Sequence, residues 1–281
     1  MEAMSKESAR TGYRVIVTGF GANKNAPYGN ATSNPSGEIA KMMPTSLRAE
    51  DPLNSSGVEI DILKIKDEWA AIDVTYMQQR AAIKAMHEKH GTDVDLWIHL
   101  GRQSEDFYTC ERRAFRQDFT CSWLGEPDQK GYYGRPDNVK QNVDDIGPNP
   151  WLAVPLGLNT EVHVTRTVAK ADEVYKRSYG STSNTANEPQ FLPDIRSHVE
   201  AASMACGFVF YESLAHCWVA GRKRHVLFCH VPREVDESSI TRGTHAVLAI
   251  IGAAIADIIE SAKPRADGGR AEWAIRFMNE P

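Results

Sequence analysis

The stretch VEIDILKIKDEWAAIDVTYMQQRAAIKAMHEKHGTDVDLWIHLG, residues 58–101, decides the fold. Apolar and acidic residues alternate over 58–63, which predicts a half-buried strand, and apolar residues recur at helical spacing from Trp69 to His90. Gly91 stands where the C-cap of that helix belongs, and residues 94–101 are typical of a second, more buried strand. Strand, helix and strand in this order predict an α/β fold with parallel strands.

The rest of the chain continues this pattern. Residues 103–150 lack a regular apolar period and are predicted to form loops and a hairpin, and residues 179–193 a polar loop. Further strands are predicted at 14–18, 160–167 and 224–232, the last ending at a proline, and further helices at 168–177, 201–220 and 244–261. No clear linker interrupts the chain, so we expect a single domain over 1–281, with 1–12 and about 263–281 as loosely ordered tails.

Composition excludes several classes of function. The net charge of -5 comes with no basic run, which argues against a nucleic-acid partner. The N-terminus has no apolar core of the kind a signal peptide needs, and no apolar stretch reads as long enough to span a bilayer, so we expect a cytoplasmic protein with no membrane partner. The five cysteines are odd in number and form no C-x-x-C pair, so free thiols are expected rather than disulfides or a zinc site.

A glycine loop follows the first predicted strand, in VTGFG at residues 17–21. The dinucleotide fingerprint requires a third glycine where Lys24 stands, so it fails. A phosphate-binding P-loop requires a glycine before Lys24 and a hydroxyl residue after it, where Asn25 stands. What remains is a strand that runs into a polar loop, which is not expected to become helical before Ser36.

Three residues could form a catalytic constellation. Cys206 lies early in an apolar helix, whose N-terminus favours a thiolate, and His230 lies at the carboxyl end of a strand, where α/β sheets bind ligands. Glu111 follows the strand that ends at Gly101 and is placed in a loop. If they converge, they form a nucleophile, a base and an orienting carboxylate. Cys229 should point to the opposite face. The residues alone leave open a buried core thiol and a structural histidine.

A series of motifs runs from residue 14 to residue 232. It comprises VTGFG, Pro27-Tyr28-Gly29, Asn34-Pro35-Ser36, Ile98 to Gly101 ahead of Glu111, Gly131-Tyr-Tyr-Gly with Asp137-Asn138, EAASMACGFVFYESLA at 200–215 and Leu227 to Pro232. In this order the motifs resemble those of the pyroglutamyl peptidase I family. The family pattern includes TGFGPFG followed by Asn-Pro-Ser, and ends in FxHVP.

The resemblance implies a single α/β domain with a twisted, mostly parallel sheet between two helix layers, the phosphorylase/hydrolase-like α/β/α architecture. It implies a cysteine peptidase that removes an N-terminal pyroglutamyl residue from peptides, with Cys206, His230 and Glu111 as catalytic residues. Peptides with an N-terminal pyroglutamate would be its partners, and thiol chemistry would need no metal or cofactor. The oligomeric state stays open, a homo-oligomer included.

The resemblance also suggests a substrate pocket. Phe20 and Tyr28 would form an aromatic wall against the pyroglutamyl ring, with glycines such as Gly21 letting the backbone approach it. The alternative is that Phe20 belongs to the core and Tyr28 to a surface turn. The loop between them is longer than in the family, because GANKNA is inserted, so the pocket could be reshaped.

Several positions depart from the family pattern. Ala202 replaces a glycine, Gly207 replaces a polar residue, and Cys121 stands where many bacterial members carry an arginine that is thought to help the oxyanion. Arg116 and Arg135 are the candidates to substitute for that arginine. These departures keep two alternatives open, an amidase of other specificity and a non-catalytic binding protein. A nucleoside-phosphorylase-like function is weaker, because no phosphate or ribose motif is present.

Overall fold

The structure is a computed structural model, which describes residues 12–22, 33–63, 71–116, 136–180, 192–200 and 204–263. The predicted tails lie outside these ranges, except for Gly12 and Lys263. The strands are β1 (Tyr13–Phe20), β2 (Ser46–Leu47), β3 (Ile60–Ile62), β4 (Ala71–Ile72), β5 (Leu96–Arg102), β6 (Tyr108–Phe115), β7 (Gly157–Asn159), β8 (Ile195–Glu200) and β9 (Val226–Val231). The helices are α1 (Pro35–Met42), α2 (Tyr76–His90), α3 (Val164–Gly180), α4 (Ala205–Val219) and α5 (Glu237–Ala262), with a short 3-10 helix at Val143–Ile146.

The strands form one open, mostly parallel sheet. The order is β2-β3-β1-β5-β9-β6-β7, with β4 beside β1 and β8 beside β6. Strands β3, β1, β5 and β9 run parallel to one another, while β6 is antiparallel to β9 and parallel to β8. The carboxyl ends of β5 and β9 therefore lie side by side, at the edge where such sheets place their sites.

Helices cover both faces of this sheet. Leu96, Ile98 and Leu100 of β5 pack in one hydrophobic cluster with α1, α3 and α5, whereas Trp97 packs in a second cluster with α2 and α4. This alternation is what a strand buried on both faces requires. The three-layer α/β/α architecture predicted from the resemblance is confirmed.

Helix α5 corrects one expectation from composition. Among the described residues it is the one helix that is long and apolar enough to cross a membrane by length and composition alone. However, 67% of its most apolar window is buried inside the protein. Its neighbours there are α3 and α1, so its apolar sequence fits a core helix.

Two predicted boundaries are wrong for local reasons. Helix α2 begins at Tyr76 rather than Trp69, because Thr75 caps it by accepting a hydrogen bond from the backbone N–H of Gln78. Half of the strand predicted at 160–167 is the start of helix α3, which extends from Val164 to Gly180. Its β-branched residues suggest a strand, but Asp257 of α5 accepts a hydrogen bond from the N–H of His163 and holds the helix start.

The most consequential correction concerns residues 103–150, predicted as loops and a hairpin. They contain β6, a strand in the interior of the sheet with the sequence YTCERRAF. Glu111 is 1% exposed within it. A buried carboxylate on an interior strand breaks the apolar pattern on which strand prediction depends. Strand β8 was missed for a similar reason, since its residues include Arg196, His198 and Glu200.

The glycine loop has a packing role at the end of β1. Helix α1 begins at Pro35, one residue earlier than expected, with Asn34 as its N-cap. Ser36 accepts a hydrogen bond from the Phe20 N–H, 3.0 Å from its Oγ. A Cβ at Gly19 would collide with the Ser36 carbonyl, so glycine allows this close approach of strand and helix.

Candidate active site

Cys206 lies at the start of α4. It is the second residue of the helix, which begins after Met204. The first backbone N–H groups of a helix have no carbonyl four residues earlier within the helix to bond, so they can bind another acceptor. The thiol is half-buried, and a Cβ at Gly101 would lie 2.9 Å from its Sγ. Gly101 pairs directly with His230 across β5 and β9. The glycine thus leaves room for the thiol beside the histidine.

His230 connects the thiol to Glu111. Its Nδ1 lies 2.8 Å from Oε1 of Glu111, so this nitrogen donates to the carboxylate and Nε2 is left for the thiol. Burial lowers the pKa of His230, but the negative charge of Cys206, a hydrogen bond to it and the Glu111 carboxylate outweigh this and raise the pKa to about 10. The charged imidazolium is therefore favoured at neutral pH.

Glu111 is held on both carboxylate oxygens. Thr109 donates to Oε1 at 2.9 Å, and Nδ1 of His198 lies 2.7 Å from Oε2. Sequence reasoning missed His198, because the strand that carries it was not predicted. Only the register of β6 and β8, which pairs Glu111 with His198, identifies it.

A tyrosine side chain lies near the thiol. Tyr76, at the start of α2, contacts the Phe208 ring edge-on at 5.0 Å between centroids. Burial, Asp137 and Cys206 raise the pKa of Tyr76, so its phenol stays neutral. The Asp137 carboxylate also accepts a hydrogen bond from the Tyr76 N–H at 3.0 Å. Sequence reasoning did not single out Tyr76, because nothing in its local pattern distinguishes it from a core tyrosine.

The predicted substrate-binding residues are partly described. Phe20 is 4% exposed, and its ring lies 6.3 Å from that of Phe228, which in turn lies 5.0 Å from the His230 ring. Gly21 donates its N–H to the Ile72 carbonyl at 2.8 Å. Tyr28 lies outside the described residues. The burial of Phe20 fits the core alternative, and a role toward a substrate stays a prediction for all three.

The positions that depart from the family pattern are also partly described. Arg116 donates from one guanidinium nitrogen to the carbonyls of Trp151, Leu152 and Val154, at 2.9–3.2 Å. It therefore fastens that loop in this structure. Gly207 is buried in the first turn of α4. Cys121, Arg135 and Ala202 lie outside the described residues.

The remaining described cysteines belong to the core. Cys110, Cys217 and Cys229 are buried and free. Cys229 packs against Cys110 on the face opposite to His230, as expected, with 3.2 Å between the two sulfur atoms. Within the ranges that the structure describes, no group of three or more His, Cys, Asp and Glu side chains is arranged to hold a metal ion.

Comparison with known proteins identifies the fold. No protein-family model and no curated protein matches the chain. Among solved structures, the pyrrolidone carboxyl peptidase from Thermococcus litoralis matches with a TM-score of 0.58 and 14% identity, covering 92% of this chain and 100% of that one. The chain has the fold of these peptidases.

Two further structures agree with this assignment. A variant of the pyrrolidone carboxyl peptidase from Pyrococcus furiosus has a TM-score of 0.58 and 18% identity, covering 89% of this chain and 100% of that one. Pyroglutamyl peptidase I from Bacillus amyloliquefaciens has a TM-score of 0.55 and 18% identity, covering 87% and 97%. Because a fold alone does not fix an activity, the function is argued from the site.

Proposed function

We propose that the protein is a cysteine peptidase that removes an N-terminal pyroglutamyl residue from peptides. One observation carries the proposal: a thiol on the first turn of a helix lies beside His230, which is hydrogen-bonded to the buried carboxylate of Glu111. This is the arrangement of a nucleophile, a base and an orienting group. The shared fold and the ordered motifs point to the pyroglutamyl group as the substrate.

In the proposed mechanism, the Cys206 thiolate attacks the exocyclic carbonyl of the pyroglutamyl residue. Backbone N–H groups of the first turn of α4 stabilise the negative charge on the carbonyl oxygen. The His230 imidazolium then donates its proton to the leaving amine, and a thioester remains. His230, now neutral, takes a proton from water, which attacks the thioester and releases pyroglutamate. Glu111 keeps the histidine Nδ1 as a donor and stabilises the imidazolium.

The surroundings of the thiol suit a small uncharged ring. Phe228 lies beside His230 and Cys206, and Tyr76 lies near the thiol, so the groups around the thiol are largely apolar, as a flat lactam requires, although both rings are almost fully buried. Phe20, Gly21 and Tyr28 are proposed to complete the pocket. We also propose that the protein acts in the cytoplasm on peptides, without a cofactor.

The test is release of a chromogenic amine from a pyroglutamyl amide by the purified, reduced protein. We expect release by the parent, none by Cys206→Ala, and retention in Cys217→Ala, whose thiol is buried further along the same helix. A folded parent without release would overturn the substrate class.

The alternative, an amidase of other specificity, is separated from this proposal by the same assay. Arg116 is engaged with the carbonyls of 151–154, so the proposed oxyanion stabilisation is assigned to the backbone N–H groups of α4. Release of amine from a different acyl amide, dependent on Cys206 and absent with the pyroglutamyl amide, would support this candidate.

A further inference from the structure

Glu111 lies between two histidines that come from the strands on either side of it. On β9, His230 reaches Oε1 at 2.8 Å, and on β8, His198 reaches Oε2 at 2.7 Å. The register explains the second contact, because Glu111 and His198 are direct neighbours in the parallel pair β6 and β8, with their side chains on the same face. The proposed mechanism uses only the first histidine.

The second contact matters because the carboxylate is buried. Hydrogen bonds to ionised groups are about twice as strong as neutral ones, so the bond from His198 holds Oε2 firmly in place. His198 itself is open to solvent, with 61% of its side chain exposed. Removing its ring would open a path for water to Oε2, and the carboxylate could then turn toward that water and away from His230.

We propose that His198 is a positioning residue that acts through Glu111 on the thiol and imidazole pair. By donating from Nδ1 to Oε2, it fixes the plane of the carboxylate together with Thr109, which donates to Oε1, so that Oε1 stays on His230. The inference rests on the proposed function only in taking Cys206 as the reactive thiol. It adds a fourth residue to the constellation, supplied by a strand at the edge of the described sheet.

Three variants distinguish the effect of losing the hydrogen bond from His198 to Glu111 from the effect of destabilising strand β8. His198→Ala removes the donor, while His198→Asn retains an amide N–H close to the position of Nδ1. Arg196→Ala is the matched control, because Arg196 lies two residues earlier on the same strand and face and packs over the Phe107 ring at 3.9 Å. Among the hydrogen bonds and ion pairs of the described residues, Arg196 is paired with Asp194 and not with Glu111.

The decisive measurement is the rate at which iodoacetamide alkylates Cys206 as a function of pH, followed by mass spectrometry of the peptide that carries it. Loss of the hydrogen bond from His230 to Glu111 destabilises the imidazolium that pairs with the thiolate, so His198→Ala should be alkylated more slowly than the parent at neutral pH. We also expect kcat on a pyroglutamyl amide to fall about 10- to 100-fold with KM little changed, the scale of one hydrogen bond to a charged group. His198→Asn should restore both, and Arg196→Ala should match the parent.

Either of two results would overturn the inference. One is an alkylation profile of His198→Ala that coincides with those of the parent and Arg196→Ala. The other is an Asn variant that behaves like the Ala variant, which would rule out the donated hydrogen bond as the cause. Alkylation needs no substrate, so this arm decides the role of His198 even if the parent fails to release amine from the pyroglutamyl amide.

Discussion

Gly101→Ala is the substitution that should most directly displace the nucleophile. The new methyl carbon would lie 2.9 Å from the Cys206 Sγ and 2.7 Å from the Phe228 Cζ. Comfortable non-bonded contacts lie at about 3.5–4.0 Å, so relief of these two contacts requires shifts of roughly 0.6–1.3 Å. Phe228 is fully buried, with the Phe20 and Phe210 rings packed against it at 6.3 and 6.0 Å. The half-buried thiol is therefore the more easily displaced neighbour, and the contact with Phe228 requires the ring or strand β5 to shift as well.

The magnitude follows from that displacement. A misplacement of about 1 Å at a reacting centre can reduce the rate about 100-fold, so we expect kcat/KM on a pyroglutamyl amide to fall by about that factor. Overpacking should also lower the free energy of unfolding by about 1–3 kcal/mol, which leaves a folded protein to assay. The loss should appear mainly in kcat, because the thiol is displaced from the position from which it attacks.

The assay compares Gly101→Ala with Gly243→Ala, a second overpacking variant. A methyl group at Gly243 would meet the Ile39 side chain in the hydrophobic cluster on the opposite face of the sheet, away from Cys206. Urea denaturation measures stability, and amine release and the alkylation rate of Cys206 report on the thiol. If Gly101→Ala stays folded and keeps activity within about 3-fold of Gly243→Ala, the thiol is not fixed against β5 and the reasoning fails.

Two further predictions follow from charged groups. Because Cys206 and Glu111 raise the pKa of His230 to about 10, kcat/KM should fall only as pH rises through about 10, rather than near the ordinary histidine value of about 6.5. The stability from this charged histidine should be complete below about pH 6.5 and lost as pH rises through about 10. Histidine NMR and urea titrations should find this loss smaller in Cys206→Ala, where only Glu111 still favours the charged form. Glu212 is 1% exposed and lies 2.9 Å from Arg80. Glu212→Ala should lower the free energy of unfolding, measured by urea titration, by about 3–5 kcal/mol, because it leaves the Arg80 charge without this partner. Lys84 forms an exposed pair with Glu88 on α2, the helix that also carries Arg80. Lys84→Ala should lower the free energy of unfolding by less than about 1 kcal/mol, and equal losses in the two variants would contradict the account.

The sequence predicted the parallel part of the fold well. Strands β1, β5 and β9 and helix α4 carry long apolar runs, because both faces of a strand or nearly all sides of a helix are buried there. Local patterns record such burial directly. The same patterns brought out Cys206 and His230, since one stands early in an apolar helix and the other at the end of a strand before a proline.

The elements that were not predicted from the sequence are strands whose charged residues interrupt the apolar pattern. Strand β6 contains Glu111 and was predicted as a loop, and β8 contains His198 at an exposed edge. A carboxylate at an interior strand position becomes tolerable only when other strands supply donors to it. Those donors come from residues 87 and 119 positions away in the chain, so no local window could reveal them.

The sequence by itself therefore determined the class of fold, the order of its main elements and the residue types available for thiol chemistry. Hydrophobic burial is written into short periodic patterns, which is why these features can be found locally. Only the tertiary structure decided the placement of Glu111 between two histidines and of Gly101 against the thiol. Both depend on the register of neighbouring strands, which is set by long-range pairing.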